Sequence, residues 1–335
     1  VTRHDPLAFT AKWSILVIAV ILVVLPRAHR ARRSLSSKAP LALPDAINLN
    51  VADISDPLEL ADTPMYWHIP KTAGSFMDAF FHECLGLVVA DQAGRVSGND
   101  KDKTLHVLTR DEGYRFVNVD TTSISGLKRA KAMGLVQSGL VDVFVSQYVV
   151  PAAEVFAPEY KGRMFALFRH PVDRAVSEFY YLQMATWEPT YNPELAAMTL
   201  DQYAHSPYIE RNWVTRMLVN KLGGEIYEND LNLAKEIIRR KCLVGLVRDM
   251  DESVRRFDLY FGFDDDDTGE KRRCWQDILD DGKTSNRNDH PKVSEGSPEW
   301  DMIRRVNFFD MQLYEYAEGL FEEQKAFLQE VNHSS

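Results

Sequence analysis

From Met65 onward, short apolar runs alternate with longer stretches of helical period. Met65–Ile69, Arg115–Val119, Val141–Ser146, Arg163–Phe168 and Cys242–Leu246 predict strands. Ser75–Leu85, Ser125–Met133, Ala152–Phe156, Val172–Met184 and Glu252–Phe261 predict helices. Runs such as MFALF and CLVGL are apolar throughout, as strands buried on both faces are. Strands of this kind spaced by helices read as β-α-β units, so the fold class is α/β, a central parallel sheet flanked by helices in three layers. Residues 195–240 and 300–329 add helices, and the C-terminal NFFDMQLYEYAEGLF repeats apolar residues at helical spacing for packing. No internal repeat is present.

Ahead of this pattern lies Trp13–Leu25, WSILVIAVILVVL, ended by Pro26 and followed by RAHRARR. As a helix it covers ~20 Å, short of the ~30 Å hydrocarbon core, and Leu7–Lys12 brings it close to spanning with Lys12 snorkelling. Residues 1–33 read as a signal anchor with a basic flank; a cleaved signal peptide is the other reading. The positive-inside rule sets Arg27–Arg33 in the cytosol, against a luminal domain. Residues 34–61, with Ser and Pro and no clear period, read as a stem, and 62–330 as the folded domain.

Composition is ordinary for a globular chain, with 45% hydrophobic and 26% charged residues. A net charge of −10 argues against a nucleic-acid binder, which rests on basic surface. Three cysteines are too few for a disulfide framework; one bridge and three buried thiols both fit. No Cys or His spacing suits a metal, and Asp264–Asp267 reads as an acidic surface loop.

Two stretches carry candidate chemistry. WHIPKTAGSF, residues 67–76, predicts a strand, a tight loop and a helix start, where free N–H groups and the helix dipole hold anions. Its lysine precedes the glycine, so it is not the GxxxxGK[ST] loop of nucleotide triphosphatases. Gly74 permits close backbone approach, Thr72 and Ser75 offer hydroxyls, and Lys71 a point charge. In FRHPVDRAVSEFYY, Arg169 ends a strand, Pro171 suits a first helical turn, and Ser177 lies two turns on. An arginine fork and a hydroxyl there make a second phosphate site. Two such sites on neighbouring β-α units imply a nucleotide phosphorylated at both ends of its ribose.

HIPKTAGS resembles the 5′-phosphosulfate loop of sulfotransferases, and FRHPVDRAVSEFYY is similar to their 3′-phosphate motif. With RNWVTRML at 211–218, the chain resembles the membrane-bound carbohydrate sulfotransferases, especially the heparan sulfate 2-O and 6-O group. The resemblance covers about 150 residues directly, and GLVRDMDESVRRF fits a later strand-helix unit of the family. It implies a P-loop-NTPase-like fold that binds 3′-phosphoadenylyl sulfate (PAPS) and transfers its sulfuryl group in line to a carbohydrate hydroxyl without a metal. It also implies a Golgi membrane protein with a luminal catalytic domain. Lys71, Thr72, Ala73, Gly74, Ser75 and Phe76 would hold the phosphosulfate, with Lys71 stabilising the leaving oxygen. Arg169 and Ser177 would hold the 3′-phosphate.

The general base departs from the pattern. Many relatives have a histidine at the end of the strand between the motifs; Ser146-Gln147-Tyr148 stands there instead. His106 and Glu154 are the candidate bases, whereas His68 reads as packing under the loop and His170 as a hydrogen-bonder at a helix start. Relatives close a late basic loop over the 3′-phosphate, which assigns Lys283, Asn286, Arg287 and His290 to the nucleotide. Trp187, in TWEPTY, is a candidate to stack on a sugar, and Arg216, with Arg211 and Lys221, for a basic acceptor groove. Asn332-His333-Ser334 is a glycosylation sequon if the domain is luminal. The acceptor stays open between glycan and protein tyrosine. An inactive nucleotide- or glycan-binding relative and a nucleotide kinase are the rival classes.

Overall fold

The structure is a computed structural model, and it describes residues 41–95, 101–186, 191–263, 269–281 and 290–332. The basic-flanked segment at 1–33, Trp187, Lys283, Asn286, Arg287 and the sequon lie outside these residues or run beyond them. Among the described residues no helix is long and apolar enough to cross a membrane.

Seven strands form one sheet: β1 (Thr63–Trp67), β2 (Val88–Ala90), β3 (Val107–Thr109), β4 (Arg115–Val117), β5 (Val143–Ser146), β6 (Gly162–Phe168) and β7 (Cys242–Leu246). Their order is β3-β4-β2-β5-β1-β6-β7, parallel except for β3 against β4. The expected α/β sheet flanked by helices is therefore present. Every residue of β6 and β7 is buried, which explains the apolar runs Met164–Phe168 and Cys242–Leu246. Alternation along β1 splits the core. Trp67 joins Phe168, Val244 and the helices α8 (Trp213–Leu218), α9 (Glu228–Lys241) and α13 (Phe308–Asn332) on one face. Tyr66 joins Phe165, Phe76, Phe80 and Phe257 on the other, where α2 (Gly74–Ala79), a π-helical turn (Phe80–Cys84), α10 (Met250–Phe261) and α11 (Glu270–Asp281) pack.

The connections from β1 and β6 leave in opposite senses. The chain after β1 crosses to β2 on one side of the sheet order, and the chain after β6 crosses to β7 on the other. Between adjacent strands of that kind a parallel sheet opens a crevice at its carboxyl edge. Lys71 lies four residues past the end of β1, and Arg169 follows β6 directly.

Residues 42–61 of the stretch expected as a stem are part of the packed body. Helix α1 (Asp45–Asn50) buries Ile47, Val51 follows it into the core, and both touch the face that Trp67 occupies. Arg163 ties down what comes next. Its Nε donates to Asp62 at 2.7 Å, and Nη1 donates to the carbonyls of Asp53 and Asp56 at 3.2 and 2.8 Å. The segment has no readable period because few apolar side chains hold it and backbone carbonyls do the rest.

The β7 edge is covered by a side chain. Gln324 of α13 donates its amide to the Cys242 carbonyl at 2.9 Å and accepts from the Val244 N–H at 2.9 Å. It occupies the ladder positions a further strand would take.

Cys84 and Cys274 form a disulfide, and Cys242 is a buried free thiol. The bridge ties the π-helical turn to α11 across 190 residues of sequence. Cys84→Ser is expected to cost about 2–5 kcal/mol of stability, read as a fall in Tm that reducing agent reproduces in the wild type. The native oxidised protein should show no reactive thiol until Cys242 is exposed by denaturant.

His82, on the same turn, stacks on Tyr114 at 4.6 Å. Its Nε2 lies 3.5 Å from Asp78 Oδ1, and neither ring nitrogen makes a hydrogen bond among the described residues. Burial first, then the Arg110 charge, holds its pKa down at about 4. This value lies below the roughly 6.5 of an unfolded histidine, so the fold favours the neutral ring. Its contribution is complete above about pH 6.5 and is lost as pH falls through about 4. His82→Phe should flatten the acid limb of Tm against pH within that window.

Candidate functional site

The loop after β1 is built from strained backbone. Lys71 and Ala73 both adopt φ 65°, the left-handed region that non-glycine residues rarely enter. Thr72 between them is fully buried, and its hydroxyl donates to the Ile69 carbonyl at 2.7 Å. The side chain expected to face an anion therefore fastens the turn, and Thr72 does not line the cleft. Gly74 is fixed by close approach, since a Cβ there would stand 2.1 Å from His68 Nε2. His68 lies against the loop as expected and also lines the cleft; burial, then the Lys71 charge, lowers its pKa to about 4.

Arg169 joins the second motif to the first. Its Nη1 donates to the Lys71 carbonyl at 3.0 Å. Burial, the largest influence, pulls its pKa down; Asp173 opposes this and Arg174 adds to it. A guanidinium stripped of water and still charged gains strongly from an anion. Helix α5 (Pro171–Met184) starts at Pro171 and carries Ser177, buried and on the cleft wall. One turn on, Tyr181 sets its ring 3.5 Å from Lys71 Nζ.

Lys71, Ala73, Gly74, Ser75, Phe76, Arg169 and Ser177 all line one cleft of about 1480 Å³ at the carboxyl edge of the sheet. This is larger than the roughly 300–1,000 Å³ of a pocket for one small ligand. His290 and Lys292 also line it, and His290 stacks on Tyr180 at 5.2 Å.

The candidate bases lie elsewhere. His106 precedes β3, the outermost strand; four strand spacings of ~4.8 Å separate β3 from β1, or ~19 Å. Its ring contacts Asn118 at 3.0 Å and it does not line the cleft. Glu154 caps α4 (Val150–Ala153), exposed and outside the cleft. Groups on the wall that can take a proton are His68, His170, His290, Asp120, Asp173, Glu178, Glu210 and Glu318. His170 makes no side-chain cap bond; its ring stacks on Trp300 at 6.1 Å.

Arg216 is also outside the cleft. Its guanidinium donates to the carbonyls of Arg211, Lys221 and Gly224 at 2.9, 3.1 and 2.8 Å, and so pins a loop. RNWVTRML is a structural clasp. Asp310 accepts from the N–H groups of Val214 and Thr215 at 3.0 and 2.8 Å, capping α8. Asn212 accepts from Phe309 and Asp310 N–H at 2.9 and 3.2 Å, capping α13 in return.

Sequence reading gave no binding role to the far side of the cleft, where it noted only Gln147. Gln92 follows β2, Asp120, Thr122 and Ser123 follow β4, and Gln147 follows β5, all on the wall. Asp120 accepts from Thr122 N, Thr122 Oγ1 and Ser123 Oγ at 2.8, 2.7 and 2.6 Å. The available signal was position: each stands just past the carboxyl end of a predicted or short parallel strand. Among the described residues no group of His, Cys, Asp and Glu is arranged to hold a metal. No protein-family model matches the chain, and no curated protein matches it.

Proposed function

We propose that this protein is a sulfotransferase that moves the sulfuryl group of 3′-phosphoadenylyl sulfate to a carbohydrate hydroxyl, on a P-loop-like version of its parallel α/β fold. One observation carries the reading: two strand ends suited to anions, Lys71 with Ala73–Phe76 after β1 and Arg169 with Ser177 after β6, line one cleft. A nucleotide with a 5′-phosphosulfate and a 3′-phosphate presents two anions to two such ends. The volume leaves room for an acceptor beside it. In the reaction the acceptor oxygen bonds to sulfur as the S–O bond to the 5′-phosphate breaks. The electron pair stays on the phosphate oxygen and the acceptor proton passes to a base. Lys71 meets the charge growing on that oxygen, exchanging the Tyr181 ring for it.

The Cys84–Cys274 bridge supports an oxidising compartment, in line with a Golgi lumen and with residues 1–33 as the membrane anchor. Calorimetry on the full chain tests the reading. Adenosine 3′,5′-bisphosphate should bind one to one at micromolar Kd without magnesium, and ATP with magnesium more weakly. Tighter binding of magnesium-ATP would favour a kinase and remove the proposal. Bisphosphate binding without sulfate transfer to any acceptor would favour a nucleotide-binding relative.

A further inference from the structure

The cations on the cleft wall are confined to one half of the sheet edge. Lys71 follows β1, Arg169 follows β6 and Arg248 follows β7, with Lys292 from the late segment. On the other side of β1, the ends of β5, β2 and β4 contribute Gln147, Gln92, Thr122, Ser123 and Asp120, none of them basic. Resting on the sulfotransferase reading, the direction of the donor follows from this arrangement. Its 3′-phosphate sits at Arg169 on β6 and its phosphosulfate at Lys71 on β1, so the sulfur points away from β6 and towards β5.

From this we infer that Gln92, Asp120, Thr122, Ser123 and Gln147 form the acceptor subsite, and that it takes an uncharged polyol such as a neutral sugar, not a polyanionic glycan. Amides and hydroxyls match sugar hydroxyls in donors and acceptors. The subsite is held in place: Thr121 donates to the carbonyls of Ala90 and Val145 at 2.8 and 2.6 Å, and Gln147 Nε2 to the Thr122 carbonyl at 3.3 Å. A sulfated or uronic chain would bring negative charge against the Asp120 carboxylate. Two of the three basic residues expected to form an acceptor groove are engaged elsewhere. Arg216 pins backbone carbonyls, and Lys221 pairs with Asp230 at 2.9 Å.

The test is sulfate transfer by the full chain from labelled donor to neutral oligosaccharides and to size-matched heparin oligosaccharides. Adenosine 3′,5′-bisphosphate titration runs on each preparation. The neutral set should give a kcat/KM at least about tenfold above heparin, and Gln147→Ala and Gln92→Ala should each raise acceptor KM about five- to tenfold, with bisphosphate affinity unchanged. Gln147→Arg should shift use towards anionic acceptors. Heparin used as well as the neutral set, unchanged acceptor KM in both alanine variants, or label on no acceptor from a bisphosphate-binding preparation each overturns the assignment. Failure to bind bisphosphate removes the sulfotransferase reading instead.

Discussion

Arg169→Ala should weaken adenosine 3′,5′-bisphosphate binding at least about a hundredfold, close to 2.8 kcal/mol. Two losses add. A charge-assisted bond from guanidinium to phosphate contributes roughly 1.5–3 kcal/mol, more where water is already excluded, as burial around Arg169 has done. The variant also drops the 3.0 Å bond to the Lys71 carbonyl, which steadies a loop with two residues in left-handed backbone. Arg169→Lys should fall between, keeping charge and losing the planar fork. Lys71→Ala should behave differently. A group that meets charge on the leaving oxygen acts on kcat more than on donor affinity. Calorimetry and single-turnover transfer separate the two, and an Arg169→Ala protein with wild-type affinity would sink the nucleotide site.

The second large effect concerns stability. Asp310→Ala should cost about 3–5 kcal/mol, measured by urea unfolding with a constant slope. Asp310 is 2% exposed and accepts three hydrogen bonds, from Val214 N, Thr215 N and Thr215 Oγ1. Burial raises its pKa, and those bonds with the Arg174 charge pull it back. Truncation leaves the first turn of α8 with buried donors and no acceptor, each a penalty of roughly 1–3 kcal/mol. Asp310→Asn retains one acceptor oxygen and should lose about half as much. A loss below about 1 kcal/mol would mean water replaces the carboxylate and the clasp is not a stability element.

The part of this molecule that could be read from its residues is the part where burial writes a period. Cys242–Leu246 has the predicted bounds, and Pro171–Met184 begins one residue early at the proline that suits a first turn. Val88–Ala90 and Val107–Thr109 were not anticipated. Three residues are too few to show alternation, and Val107 and Thr109 are exposed on an antiparallel edge. The site divides in the same way. Lys71, Gly74, Arg169 and Ser177 come together because each is tied to its strand by short loop geometry. His106 stands outside the cleft because strand order, which no local pattern encodes, sends β3 to the far edge. Gln92 was passed over, and Gln147 was noted only as standing where relatives carry a base, because an amide carries no signature until neighbouring strand ends are known.

The amide of Gln324 has a consequence for synthesis. Strand β7 is complete at Leu246, and the group that closes its open edge is encoded 78 residues later. At ~5–20 residues per second, the ribosome needs roughly 4–16 s to reach it. During that interval the nascent sheet presents bare N–H and C=O groups beside an apolar face that α13 has yet to cover. Chains stalled or truncated between β7 and α13 should therefore be the species that chaperones hold and that aggregates recruit.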